Sequence, residues 1–534
     1  MKIVKLQIYL IVIFSFIALW PFFKKGYFAT HDGDWMIIRL SAFHQTLSAG
    51  QFPVRFVDRL NNNFGYPVFN FLYPLPFYLA EFPKILGNDF IESIKIITVL
   101  ATFGSAIAMY WALSQKFKKE ASFAGAIIYL FAPYRFVDLY VRGSFGENVA
   151  FLFIPLVLGS ILKLAGGNKL FLPILSFAIA GLILSHNVMA LLFLPVLFVI
   201  GLILTEKSRL NIFLGFLGGV TISSFYWLPA LYDLNFVKFS QIKISKITDH
   251  LTTFNRLIIP SWGFGSLPQG LESFSPQIGL AAIAIFISAA ASRILENKKN
   301  LFIDFFLILF LLSAILMLNV SAPFWNLVPL VDVIQFPWRL LSLVVFASAI
   351  LAAFVIQKSN QGQIVALIII LAAVISTAVY TKPKAFVERP DSFYSTNEGT
   401  TTVRDEYMPI WVFEKPDFRA DQKIEIYQGD ARIISQQIRP AKYNFTIESS
   451  SSNKVKVNTI YFPGWQVDVD GTRQTTDYRN KYGLITFELP KGRHEVIIKY
   501  GKTPVHLISE IVSLLSFFGI GGYLLYLWRK QNSS

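Results

Sequence analysis

The chain contains no cysteine in 534 residues. Disulfide bracing, thiolate metal sites and cysteine nucleophiles are therefore excluded. Charge is scarce as well. Asp, Glu, Lys and Arg make up 15% of the residues, against 54% hydrophobic and 16% aromatic, which is the composition of a polytopic membrane protein. Three catalytic signatures are also missing: a Walker-type Gly-x4-Gly-Lys loop, His-Glu-x-x-His and Gly-x-Ser-x-Gly. ATP-driven transport, zincin proteolysis and α/β-hydrolase chemistry all lose support.

What is present is a series of apolar runs, at 6–23, 90–113, 121–138, 148–165, 170–186, 188–204, 211–231, 278–293, 301–319, 338–356, 364–380 and 505–528. Hydropathy predicts about twelve transmembrane helices from them. With a cytoplasmic N-terminus, the inside loops hold Lys116, Lys118 and Lys119, then Lys169, then Lys207 and Arg209, then Arg293, Lys298 and Lys299, then Lys358, and finally Arg529 and Lys530. Each inside loop then carries a basic residue, as the positive-inside rule requires. Residues 66–86 are apolar but contain Pro67, Pro74, Pro76 and Pro83. Counting them as a span would reverse every later loop, so they read as interfacial or re-entrant. The first run ends Trp20-Pro21-Phe22-Phe23-Lys24 with no small-residue cleavage site and is expected to be retained.

The expected organisation is a membrane domain over 1–380, with a first outer loop at about 24–89, then a polar extracytoplasmic domain over 381–504, then a last helix and cytoplasmic tail over 505–534. Both termini are predicted to be cytoplasmic, in a bacterial plasma membrane. The net charge is +15, but 381–504 carries 19 basic and 16 acidic residues, so most of the excess belongs to the membrane part. Topology and anionic lipid account for it, and no nucleic-acid partner is expected. Alternating runs at 455–461, 465–469 and 494–500 are separated by Pro463-Gly464, Asp470-Gly471 and Pro490-Lys491-Gly492. They predict β-strands in a small sandwich. The fold class is therefore mainly α, with a C-terminal β-sandwich-like domain.

The outer loops are unequal, long at about 24–89 and 232–277 and shorter but charged at 139–147 and 320–337, while the inner ones are all short, so chemistry belongs on the outer face or in a cavity opening to it. The first outer loop opens Thr30-His31-Asp32-Gly33-Asp34-Trp35. Carboxylates beside a membrane are costly to desolvate, which makes the pair a functional candidate. In an extended segment Asp32 and Asp34 would share one side and could hold a divalent cation, Mg or Mn. Alternatively, one carboxylate acts alone as general base. The structural alternative is a helix cap, because Met36, Leu40, Phe43 and Leu47 form a helical stripe directly behind them. That stripe predicts a helix along the membrane surface, with Arg39, His44, Gln45 and Ser48 on or near its wetter side. In the second outer loop Arg142 could bind phosphate and Glu147 could complete an acidic site, or the two could simply pair. His186, in Ser185-His186-Asn187, lies where two apolar runs meet. Arg339 enters a run at the outer face, with headgroup snorkelling as the bland reading. Asp233, Asp249, His250 and Arg256 are too scattered to assign.

The blocks Thr30–Trp35, Gly50–Arg55 and Gly65–Tyr78, followed by Arg142-Gly143 with Glu147, Ser185-His186-Asn187 and Gln335-Phe336-Pro337-Trp338-Arg339, resemble bacterial membrane proteins labelled 6-pyruvoyl-tetrahydropterin synthase-related. The stretch Tyr461–Gly471 is similar to the C-terminal domain of related multispanning proteins. The label itself points to pterin chemistry, which needs a histidine zinc site. This chain has six histidines and no His-x-His pair.

The arrangement also resembles the GT-C class of glycosyltransferases, which take sugar from a polyprenyl-phosphate carrier. That resemblance implies a catalytic carboxylate at Asp32, with Asp34 second, and Arg142 and Arg339 at the lipid phosphate. Glu147, His186, His31 and Tyr66 are further candidates for substrate contact, with aromatic residues of 66–78 lining a sugar or prenyl groove. Relatives often carry histidine where this chain has Met36. The implied partners are a polyprenyl-phosphate-linked sugar, membrane lipids and a glycan, lipid or protein acceptor. A transporter or flippase of lipid-linked glycans and a non-catalytic, glycan-binding envelope protein are the competing readings.

Overall fold

The computed structural model describes residues 2–204, 208–242, 245–265, 267, 273–296, 298–327, 331–399 and 404–532. Lys207, one of the basic loop residues, lies outside the described residues, as do parts of the 232–277 and 381–504 segments. Each of the twelve apolar runs is mainly helical, and two of them are broken into two helices. Six helices are long and apolar enough to cross a membrane, or eight if each of two bent pairs is one span. The bent pairs are Lys119–Leu130 with Pro133–Arg142, at 40°, and Arg209–Ile222 with Ser224–Phe236, at 66°. Four more apolar helices, Phe171–Ser185, Leu280–Ile294, Leu301–Leu316 and Gly362–Ala378, have 15 to 17 residues. They fall short of the roughly 20 residues that a bilayer core requires.

Between the first two long helices the chain forms a short strand β1 (Tyr27–Phe28), then a helix over Gly33–Ser48. Thr30 Oγ1 accepts the Gly33 N–H at 2.9 Å, so threonine supplies the first-turn cap. The stripe residues Met36, Leu40 and Phe43 are buried, as predicted for one apolar face. Phe43 packs on Phe69 at 5.0 Å, and Phe69 on Phe77 at 5.1 Å. These contacts tie the helix to the proline-rich segment, which folds as helices Val68–Phe71 and Leu75–Ile85. At about 1.5 Å per residue, neither is long enough to span. β1 pairs antiparallel with β2 (Phe386–Val387), which clips the start of the first loop to the chain leaving the helix Gly362–Ala378.

The C-terminal region is β-rich. Its strands are β3 (Ile424–Gln428), β4 (Ala431–Arg439), β5 (Lys442–Ser449), β6 (Asn453–Ile460), β7 (Trp465–Val469), β8 (Thr472–Gln474), β9 (Leu484–Leu489) and β10 (Gly492–Tyr500). They form two antiparallel sheets, of order β4-β5-β10-β7-β8 and β3-β6-β9. Val467, Val496 and Phe445 from one sheet and Val455, Ile485 and Phe487 from the other join a single buried cluster. Each such side chain contributes about 1.5–3 kcal/mol by burial. Asp470 and Gly471 have φ of +49° and +78°, the left-handed pair that a two-residue hairpin between β7 and β8 demands.

The β region is bolted to the first loop. Asp58 Oδ2 accepts from the Ala441 N–H at 2.6 Å and the Tyr443 hydroxyl at 2.9 Å. Burial raises the Asp58 carboxyl above its ordinary value. Lys423 donates to the Asn63 carbonyl at 2.6 Å, and burial lowers its pKa to about 8. Phe56 meets Trp465 edge-on at 5.2 Å.

Candidate functional site

A cavity of about 550 Å³ opens where the first loop, the helix ends and the segment that leads into the β region meet. Its wall includes His31, Asp32, Arg142, His186 and Arg339, five of the residues singled out from the sequence. Backbone pairing brings the first two to the third. The His31 N–H donates to the Val141 carbonyl and the Asp32 N–H to the Arg142 carbonyl, both at 2.9 Å. This approach depends on Gly143, which sits at φ +65°, where a Cβ would lie 2.3 Å from Thr30 Oγ1. Gly146 is equally tight: a Cβ there would meet the Tyr73 ring at 2.3 Å and the Ser185 carbonyl at 2.6 Å.

Behind the cavity wall lies Glu147, fully buried. Its Oε1 is 2.7 Å from Arg142 Nη1, 3.3 Å from Arg339 Nε and 3.7 Å from His186 Nε2. The Tyr134 hydroxyl donates to Oε2 at 2.8 Å. Asp138 adds a second carboxylate to Arg142 at 2.7 Å. The arginines are held rigidly: Arg142 stacks over Trp338 at 4.5 Å, and Arg339 donates to the Ile334 carbonyl at 2.9 Å. A buried carboxylate that binds two guanidiniums is compensated charge, and removing it would take the carboxylate from Arg339 and leave Arg142 with Asp138 alone. His186 Nδ1 accepts the Met189 N–H at 3.2 Å, so a neutral ring carries its proton on Nε2, facing Glu147.

Asp32 and Asp34 do not share a side. The segment is helical from Gly33, not extended, so i and i+2 diverge by about 200°. Asp34 turns to Arg389 at 2.9 Å and the Tyr394 hydroxyl at 3.4 Å, both in the segment that follows β2. The aspartate pair therefore does not form the two-carboxylate cradle expected for Mg or Mn. Among the described residues no group of three His, Asp or Glu is arranged to hold a metal. Asp32 lines the cavity and does not cap the helix, because Thr30 does. Among the described residues nothing forms a hydrogen bond or ion pair with the Asp32 carboxylate.

Tyr66 is not part of the cavity wall. It is 1% exposed and its backbone pairs with Val57. Arg39, expected near the wetter side of its helix, is 9% exposed and lines the cavity. Tyr73, one of the aromatic residues of 66–78, lines the cavity, and four further cavity residues had no assignable sequence signal: Phe239, His250, Glu406 and Tyr407. Tyr407 stacks on Phe71 at 4.9 Å and lies parallel to Phe239 at 6.2 Å, so three segments distant in sequence close one wall. Burial pushes the Tyr73 and Tyr407 phenols up and the His250 imidazole down. One regularity was visible in advance only as a count. Three of the six histidines, His44, His494 and His506, pair with Glu81, Asp470 and Asp233, and the other three line the cavity.

A protein of Lactococcus lactis subsp. cremoris, described as uncharacterized, is 26% identical over 250 residues, covering 43% of this chain and 40% of its own. Two solved structures are similar at low identity. The arabinofuranosyltransferase AftD from Mycobacteria has a TM-score of 0.45 and 13% identity, covering 73% of this chain and 28% of its own. The Archaeoglobus fulgidus oligosaccharyltransferase has a TM-score of 0.40 and 12% identity, covering 74% of this chain and 56% of its own. The matches thus span less than two thirds of each relative. The pattern described as 6-pyruvoyl-tetrahydropterin synthase related domain, membrane protein, matches residues 69–382. That interval is more than half of the chain and contains Arg142, Glu147, His186 and Arg339, and on it the chain belongs to this membrane-protein family.

Proposed function

We propose that this protein is a GT-C-like membrane glycosyltransferase that moves a sugar from a polyprenyl-phosphate carrier to an acceptor hydroxyl outside the cytoplasm. The observation that carries the reading is the Asp32 carboxylate, which among the described residues makes no hydrogen bond or ion pair, in a cavity shared with the Arg142 and Arg339 guanidiniums. Asp32 takes the proton from the acceptor hydroxyl as its oxygen attacks the anomeric carbon. The bond from that carbon to the phosphate oxygen breaks, and its electron pair leaves with the phosphate. The charge that develops there is met by Arg142 and Arg339, which Glu147 holds in place. Attack opposite the leaving group inverts the anomeric centre.

In this reading the twelve apolar helices are all spans, the two β-sheets form a sandwich outside the cytoplasm, and both termini are cytoplasmic. The test uses purified full-length protein in lipid nanodiscs, polyprenyl-phosphate sugars of several kinds, and membranes of the source organism as acceptor. General-base removal in Asp32→Asn is expected to lower transfer by about 10²–10⁴-fold. Unchanged transfer in that variant would refute the assignment. Translocation of the lipid-linked sugar with no new glycosidic bond would establish the transporter reading instead.

A further inference from the structure

A second concavity lies on the flank of the helical bundle. It has a volume of about 430 Å³ and is walled by Phe153, Phe177, Ala180, Leu184, Phe225 and Leu514 among others. A Cβ on Gly181 would meet the Phe153 ring at 2.2 Å, so glycine there seats the ring that floors the groove. One side is the C-terminal helix Pro504–Asn532, of whose apolar window only 6% is buried within the protein. That helix faces lipid, and the groove between it and the Phe171–Ser185 helix opens the same way.

The mouth of the groove is charged. Glu510, at its polar end, lies between Arg55 at 3.2 Å and Lys502. Arg55 and Glu510 are almost wholly enclosed, while the Lys502 side chain is 51% exposed. Arg55 also reaches the buried Asp233 through Asn70, so its charge is met inside the protein, and Lys502 is the cation left at the surface, where it can pair with a phosphodiester. At the close packing of protein interiors, the groove holds on the order of fifteen methylenes.

The groove shares no lining residue with the larger cavity. A hydrogen-bonded partition stands between them. Asn187 Nδ2 and the Tyr226 hydroxyl both donate to the Phe71 carbonyl, at 3.0 and 2.8 Å, and the same hydroxyl is 2.5 Å from Asn187 Oδ1. A lipid whose chain fills the groove has its phosphate at Lys502, on the far side of this partition from Arg142 and Arg339. We infer that the groove is a binding site for a membrane phospholipid, with one acyl chain between the Phe171–Ser185 and C-terminal helices and its phosphate at Lys502. The occupant is distinct from any lipid-linked sugar in the larger cavity.

The test is native mass spectrometry of the full-length protein in detergent, titrated separately with palmitoyl-oleoyl phosphatidylglycerol and with undecaprenyl phosphate. Ala180→Phe fills the groove from inside. Leu514→Trp fills it from the lipid-exposed helix, where no core packing is at risk. Both are expected to weaken phosphatidylglycerol retention about ten-fold or more through lost hydrocarbon burial, and Lys502→Gln by about three-fold through lost phosphate contact. Undecaprenyl phosphate binding is expected to stay unchanged in all three. Equal phosphatidylglycerol retention in wild type and Leu514→Trp would overturn the inference. So would a parallel loss of undecaprenyl phosphate, which would make the groove the carrier's own chain site. Neither readout depends on sugar transfer, so failure here is separable from failure of the proposed activity.

Discussion

Replacing Gly143 by alanine tests whether the approach of two loops sets the position of Asp32. The residue closes the Asp138–Arg142 turn at φ +65°, and the new Cβ would lie 2.3 Å from Thr30 Oγ1 and 2.9 Å from Thr30 Cβ. The left-handed backbone costs alanine about 1–2 kcal/mol. The overlap is about 1 Å short of ordinary contact and cannot be relieved without moving Thr30. Thr30 is also the acceptor for Gly33, so loss of that cap adds roughly 1 kcal/mol. The expected destabilisation is about 2–3 kcal/mol. Because Asp32 lies between Thr30 and Gly33, its carboxylate is displaced by a comparable distance. A misplacement of about 1 Å lowers turnover roughly 10²-fold. Gly87→Ala is the control: it carries the same kind of backbone strain at φ +97° with no atom within 4 Å of the added Cβ. Thermal unfolding and sugar transfer are measured on both variants. Equal behaviour in the two assays would refute the claim that the Thr30–Gly143 contact orients Asp32.

Glu147→Gln leaves Arg142 and Arg339 buried without their shared counter-charge, and a loss of about 3–5 kcal/mol is expected in thermal unfolding, with weaker binding of undecaprenyl phosphate as the guanidiniums shift. Asp34→Asn removes a half-exposed ion pair to Arg389 and keeps an oxygen for the Tyr394 hydroxyl, so its stability is expected to change by less than about 1 kcal/mol and its transfer rate to stay within ten-fold of wild type, in contrast to Asp32→Asn. Lys423 has a folded-state pKa lowered to about 8 by burial, so the unfolded chain holds its proton more tightly. Its contribution to stability is therefore full above the ordinary lysine value and is lost as pH falls through about 8. The unfolding temperature of wild type relative to Lys423→Met should accordingly rise between about pH 8 and 10, and a flat difference would remove Lys423 from the interface.

The helices were legible because long apolar runs stand out in the sequence, and the twelve runs fold mainly as helix, two of them broken. Their lengths were less so, since four helices stop at 15 to 17 residues, where local turns end them. The strands at 453–460, 465–469 and 492–500 were legible because one face is buried and the other wet, which writes a period of two. β9 was missed because it is buried on nearly every residue, and β4 because it is exposed on nearly every residue. Neither state leaves an alternation to read.

The site divides along the same line. Residue type and order pointed to Asp32, Arg142, Glu147, His186 and Arg339, because charge beside an apolar run is costly and stands out in a sequence with so little of it. Which charges face one another is a matter of position. A helical rather than extended start at Gly33 sent Asp34 to Arg389 and Asp32 to the cavity. Arg39, His250, Glu406 and Tyr407 joined the wall because packing of distant segments brought them there, through contacts such as the Tyr407–Phe71 stack. The sequence by itself determined the membrane class, the helical runs, the β-forming tail and the chemistry on offer, all of which follow from local composition and period. Only the tertiary structure decided that Asp34 pairs with Arg389 while Asp32 faces the cavity, and that Glu147 organises two arginines from behind it. Both depend on distances between residues far apart in the chain, and no local pattern encodes those.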